Sequence, residues 1–304
     1  GKASYSEYRD IIQTMGDLGK DPEYGCGRAL WENNSGLNKY GTTMSLMLLP
    51  HWTSGCIASM EGLFFESAGT TPYHFITAAA MSKQSSNPVR ELRYNNLDMS
   101  IGVPYMRAMG IKYYMAFTTE AKDAAAKATG ITKVAESGPW VIYTVDDTEI
   151  VSSLTTQPVV VKPRSGDPRE RWLELGTSYF QNGDEWAALP VADGPDSWQH
   201  IDALLDTSRA VGVAGRSGHQ VDVVVPSSDI ERVSVAPAEV TNLHIEEDTI
   251  AFDVDRVGSP VLIRVSYFPN WEVSGADRIS RGTQLHGGRT DLEACRSDLR
   301  PHKH

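Results

Sequence analysis

Six tryptophans (Trp31, Trp52, Trp172, Trp186, Trp198 and Trp271) recur beside Asn, Glu, Asp or Pro. That pairing suits sugar rings. An indole stacks on the C–H face of a sugar while neighbouring polar groups take its hydroxyls. Tryptophans in such settings also serve as core or loop anchors. Glu61 and Glu66 flank the apolar run GLFF. Paired carboxylates can do acid–base work or hold a cation, and they can equally be the two solvated ends of a buried segment.

Other chemistries lack their signatures. Gly212-Val-Ala-Gly215-Arg-Ser-Gly218 is neither a dinucleotide fingerprint nor a Walker loop, and no helical pattern follows it, so it reads as a flexible loop. Asp253 and Asp255 alternate with apolar residues, as on the outer face of a half-buried strand. The eight histidines are scattered without HExxH, and only His302 and His304 in the tail sit close together. No GxSxG nucleophile elbow and no CxxC occurs. We therefore expect no catalytic residue, metal or cofactor in this chain. A net charge of -11 and a pI near 5.2 argue against a nucleic-acid partner. Asn33-Asn34-Ser35 is a formal glycosylation sequon, meaningful only in a secreted eukaryotic setting.

These residues must be held by elements. A chain of 304 residues favours two domains. Residues 4–19 carry Tyr8, Ile11, Ile12 and Met15 at helical spacing. Residues 41–50 read as a buried strand ending at Pro50, and 61–66 as a short strand or helical turn. A helix enters through Thr71-Pro72. The spacing of Met99, Val103, Met106 and Met109 predicts a helix from Asp98 to Met109 capped by Gly110. A strand (111–117), a helix (119–128) capped by Thr118 or Thr119, and a hairpin (131–136, 140–145) follow. We expect an α+β chain: a mixed α/β domain over 1–150, a linker and Trp-rich irregular segment over 151–215 with one helix at 172–180 and otherwise loops, and an antiparallel β-sandwich-like domain over 216–277, built from short runs between turn residues. Cys26 and Cys56 are either a disulfide of an oxidising compartment or two buried thiols. The longest strongly apolar run, Met44 to Pro50, is far short of a membrane span.

Several stretches together resemble one family: CGRALWE (26–32), YGTTMSLMLLPHWTSGC (40–56), SMEGLFFESAGTTPYHF (59–75), SKQSSNPVREL (82–92), MGIKYYMAF (109–117), the segment 170–199 and VSYFPNWEVSGAD (265–277). They look like the extracytoplasmic domain of actinobacterial multi-pass membrane proteins of the 6-pyruvoyl-tetrahydropterin synthase-related type, whose architecture is similar to GT-C glycosyltransferases. The resemblance implies a place on the extracytoplasmic side of the cell membrane, next to the protein's own transmembrane region. It also implies a glycan or polyprenyl-linked sugar as partner, in cell-envelope assembly. The catalytic carboxylate of such enzymes lies between membrane helices, so none is carried over. What this piece would contribute is acceptor binding by Trp31, Glu32, Trp52, Glu61 and Glu66. A non-catalytic carbohydrate-binding or scaffold role is the alternative.

The family resemblance ends at Asp277. After it the apolar period vanishes, and residues 278–304 hold six Lys/Arg against three Asp/Glu with no aromatic residue. We read this tail as disordered and as out-of-frame or vector-derived, since a one-base shift in one coding string for Leu285–Thr290 restores an apolar run. A natural basic tail is the alternative.

Overall fold

The helical spacing of Tyr8, Ile11, Ile12 and Met15 is realised in α1 (Lys2–Lys20), which buries Ile11, Met15 and Leu18. The computed structural model describes residues 2–61, 69–209, 220–246, 249–266, 271–276, 278–282, 286–289 and 296–301. The chain divides into two units, Gly1–Glu149 and Ile150–His304.

In the first unit α1 is followed by β1 (Gly27–Trp31), α2 (Leu49–Trp52), β2 (Ile57–Ser59), α3 (Thr71–Ala80), α4 (Met99–Ala108), β3 (Ile111–Ala116), α5 (Thr119–Ala125), β4 (Ile131–Ser137) and β5 (Trp140–Val145). The sheet order is β2-β1-β3-β5-β4. β2, β1 and β3 run parallel; β5 and β4 close the sheet antiparallel. Parallel strands covered on both faces read as continuous apolar runs rather than alternations. Accordingly Tyr113 and Met115 join Trp31 and Trp140 in one core with Ile11 and Met15. Between them Tyr114 donates to the Met81 carbonyl just after α3, at 2.7 Å.

Local signals set the ends of these elements. Asp98 caps α4 through Ser100 N, and Gly110 follows it at φ 63°. Thr118 caps α5 through Ala121 N. Pro72 sits in the first turn of α3, where its missing N–H costs nothing. The strand read over 41–50 is overturned. Ser45–Leu48 is a 3-10 turn that runs into α2. Leu46 and Leu49 are buried at i and i+3 while Leu48 is 42% exposed, a helical rather than an alternating pattern. Of the segment 61–66, only Glu61 lies within the described residues.

The second unit begins with β6 (Val151–Ser153), β7 (Val159–Lys162), α6 (Pro168–Gln181), β8 (Pro190–Val191), β9 (His200–Leu205) and β10 (Val224–Pro226). Among its described residues the segment 151–215, read as linker and irregular chain with one helix at 172–180, therefore carries that helix within α6 and also the strands β6 to β9. The charged run KPRSGDPRER misled because two of its arginines, Arg164 and Arg171, reach a buried carboxylate later in the chain. Asp167 caps α6, and Glu174, 2% exposed, is held by Arg171 and Arg164, with Asp222 also on Arg164. Burial pushes the Glu174 carboxyl up while the two guanidinium groups pull it down. The sheet β10-β9-β7-β8 packs Val159, Val161, Ile201 and Val224 against Leu175 of α6 and against Trp186.

β11 (Val240–Ile245), β12 (Ile250–Val254), β13 (Pro260–Ile263), β14 (Trp271–Ser274), β15 (Arg278–Arg281), β16 (His286–Arg289) and β17 (Arg296–Pro301) complete the unit. Two antiparallel sheets, β11-β12-β17-β14 and β15-β16-β13-β6, share a core of Ile250, Phe252 and Val254 against Val151, Val261 and Ile263. This is the sandwich-like part of an α+β chain. The tail's sequence specifies no apolar period. Its described backbone nevertheless runs as three strands, because ladder hydrogen bonds need only N–H and C=O groups.

Burial pushes Tyr94, Tyr105 and Tyr113 up to about 12 and Tyr114 well above its ordinary value. A phenol that ionises at 10.0 when unfolded and near 12 when folded stabilises the fold fully below the lower value, and loses that contribution as pH rises toward the upper one. The first unit should therefore unfold between about pH 10 and pH 12, with these four tyrosines titrating only as it does. Absorbance at 295 nm followed alongside far-UV circular dichroism checks this. Reversible titration of all tyrosines near pH 10 with native dichroism would contradict it.

Candidate functional site

β1 and β3 are neighbours whose outgoing connections leave in opposite directions, β1 toward β2 and β3 toward β5 and β4. In open α/β sheets the crevice beyond the carboxyl ends of two such strands is the usual ligand site. Here the chain fills it with its own carboxylate. Glu32, the residue after β1, is fully buried. Its Oε2 accepts from Phe117 N at 2.8 Å and Thr118 N at 2.7 Å; its Oε1 accepts from the Thr118 hydroxyl at 2.7 Å and Lys83 N at 3.1 Å. One side chain thus ties the end of β1 to the end of β3, the start of α5 and the loop after α3. Neighbouring bonds complete the clamp: Glu32 N donates to the Met115 carbonyl and Asn33 N to the Ser82 hydroxyl. A carboxylate with four such donors has no role left as a ligand for a sugar hydroxyl. Trp31 is likewise core, 3% exposed against Trp140 and Tyr113.

Glu61 is also buried. Its Oε1 meets Nε2 of His74, on α3, at 2.8 Å, and its backbone N–H donates to the Ser59 hydroxyl. His74 carried no motif in the sequence, and its pairing with Glu61 depends on how α3 lies beside the end of β2. Glu66 lies outside the described residues, so the structure does not place the pair Glu61–Glu66. Among the described residues no group of three or more His, Cys, Asp or Glu could hold a metal ion, and no helix is long and apolar enough to cross a membrane.

Of the five residues expected to bind substrate, Trp52 alone among those described stands in solvent, 55% exposed. The short segment that carries it is held at several points. Gly55 N donates to the Pro50 carbonyl at 2.7 Å, Thr53 donates its hydroxyl to the Leu49 carbonyl and accepts from Ile57 N, and Ser54 and Gly55 take positive φ. Four residues after Trp52, Cys56 forms a disulfide with Cys26, joining the entries of the paired strands β1 and β2. Gly19 of α1 lies so close that a Cβ there would stand 2.5 Å from the Cys56 sulfur. Around the indole, the His51 ring meets it edge-on with centroids 4.8 Å apart. Tyr8 bonds to the Ser45 carbonyl and lies in hydrogen-bonding reach of Trp52. Leu48 precedes Trp52 by four residues on the same face and is exposed as well. Tyr8 read as a plain core position in the sequence; nothing in its spacing marked it as a neighbour of Trp52.

No family model matches the chain, and no curated protein sequence matches it. Among solved structures it is similar to the cryo-EM structure of arabinofuranosyltransferase AftD from mycobacteria, at 13% identity and a TM-score of 0.32, over 98% of this chain and 30% of that one. A mutant form of the same enzyme gives 13% identity and a TM-score of 0.28, over 98% and 31%. The chain thus spans less than a third of the enzyme's length.

Two outcomes follow from this geometry. Glu32→Gln puts an amide N–H2 among N–H donors and should cost about 3 kcal/mol, with Glu32→Ala at least as much. Urea unfolding monitored by the buried tryptophans reads this, and a cost below about 0.5 kcal/mol would show that the clamp is dispensable. Replacing Cys26 and Cys56 by serine opens a loop of sequence separation 30 and should lower stability by about 3.5 kcal/mol.

Proposed function

We propose that this chain is the extracytoplasmic domain of a membrane-bound glycosyltransferase-like protein, where it binds or positions a glycan or lipid-linked sugar in cell-envelope assembly. The observation that carries the reading is Trp52, a large aromatic ring kept in solvent on a segment locked by its own hydrogen bonds and a disulfide. An exposed indole contributes contact area only if it is already in place when the ligand arrives, because ordering it on binding would offset the gain. A disulfide belongs to an oxidising compartment, which supports the extracytoplasmic side. The resemblance of segments 26–32, 40–56 and 109–117 to the membrane family points the same way. In this proposal Trp31, Glu32 and Glu61 are buried supports of the sheet and not part of the binding face. Leu48 beside Trp52 favours one second reading, in which the same face docks another envelope protein and the domain is a scaffold.

Saturation-transfer NMR on the intact chain with neutral oligosaccharides separates the two. The proposal expects transfer to the sugar from the Trp52 ring. It also expects Trp52→Ala to weaken binding about tenfold or more with the melting temperature unchanged, since the ring is exposed. No transfer from wild-type protein at millimolar sugar would leave the scaffold reading.

A further inference from the structure

The second unit holds an open cleft of about 530 Å³ between the turn at 183–187 and the loop at 226–230. That volume lies in the range of small-molecule sites. Ala187, Pro226 and Ile230 supply apolar wall; Glu185, Ser228 and Asp229 supply polar groups. Both walls are fixed before any ligand arrives. Ser227 N donates to the Asp202 carbonyl at 2.9 Å, and its hydroxyl accepts from Asp202 N at 3.0 Å. Gln199 donates its amide to the Asp229 carbonyl at 2.8 Å and accepts from Glu231 N at 2.9 Å. The loop is therefore pinned to the edge of β9 at both ends. On the other wall Trp186 is buried in the core, and Ile230 packs against the same cluster.

Charge narrows the ligand. Both oxygens of Glu185 are gripped by Arg209, at 2.7 and 2.8 Å. Arg209 also bonds Asp206, whose carboxyl the Ser208 hydroxyl and Arg209 hold down at about 2. Glu185 is thus neutralised and oriented, and is a poor cation ligand. Asp229 adds a negative charge that repels phosphate and carboxylate ligands. What remains is one carboxylate, a serine hydroxyl and the oriented rim of Glu185 above a small apolar wall. These groups accept and donate to hydroxyls at fixed places, and the wall takes C–H surface.

We infer that this cleft is a binding site for a neutral saccharide, with Asp229 and Ser228 as its hydroxyl-reading groups and the Arg209-held Glu185 as its opposite rim. It shares the ligand class of the proposed function but rests on different residues in the other unit, so the two stand or fall separately.

The test is an amide-resolved NMR titration of the full chain with arabinotetraose and mannotriose, with trigalacturonate and calcium chloride as charged probes. The inference expects a neutral oligosaccharide to shift amides within 183–187 and 226–231, equally in Trp52→Ala. It expects Asp229→Asn and Ser228→Ala each to weaken that response about tenfold without altering the rest of the spectrum. Shifts confined to the surroundings of Trp52 would overturn the cleft and leave the proposed function standing. A response to calcium or trigalacturonate as strong as to the neutral sugars would overturn the ligand class. No response in the cleft to any of the four probes would overturn the site.

Discussion

The first unit depends on one buried charge. A carboxylate removed from water costs several kcal/mol unless it is fully hydrogen-bonded, and Glu32 meets that condition with four donors from two separate stretches of chain. Because the donors come from the loop after α3 and from the junction of β3 with α5, satisfying the charge fixes where those pieces sit. The same arrangement closes the crevice where an α/β sheet would ordinarily accept a ligand. An internal anion there leaves function to surfaces elsewhere. The exposed Trp52 and the cleft in the second unit are the surfaces on which the proposed binding rests.

How far the sequence foretold this varied with the range of the interactions. Helices α1 and α4 and the hairpin β4–β5 were legible because their periods, caps and turn glycine act within a few residues. The run from 41 to 50 was not: apolar residues bounded by Gly and Pro suit a strand as well as a helical turn, and burial of Leu46 and Leu49 by packing decided it. The charged segment 162–171 looked like a linker because its counter-charges, Glu174 and Asp222, lie later in the chain.

The candidate site shows the same division. An indole beside polar residues drew attention to Trp52, yet gave no means to separate it, exposed, from Trp31, which lies in the core. Glu32 looked like a binding group because its partners are 51, 85 and 86 residues away. The Glu61–His74 pair and the cleft at Glu185 and Asp229 have no local motif at all. They exist only once distant segments are brought together, which is why composition and spacing passed over them.

The central claim is that ligand binding in the first unit belongs to the exposed Trp52 face and that the sheet's crevice is closed by Glu32. The most direct measurement is a crystal structure of the chain grown with a neutral oligosaccharide. The account predicts a sugar ring stacked on the Trp52 indole, with Glu32 still bonded to Phe117, Thr118 and Lys83. A sugar seated beyond the ends of β1 and β3, with the Glu32 carboxylate turned out to meet it, would contradict the account.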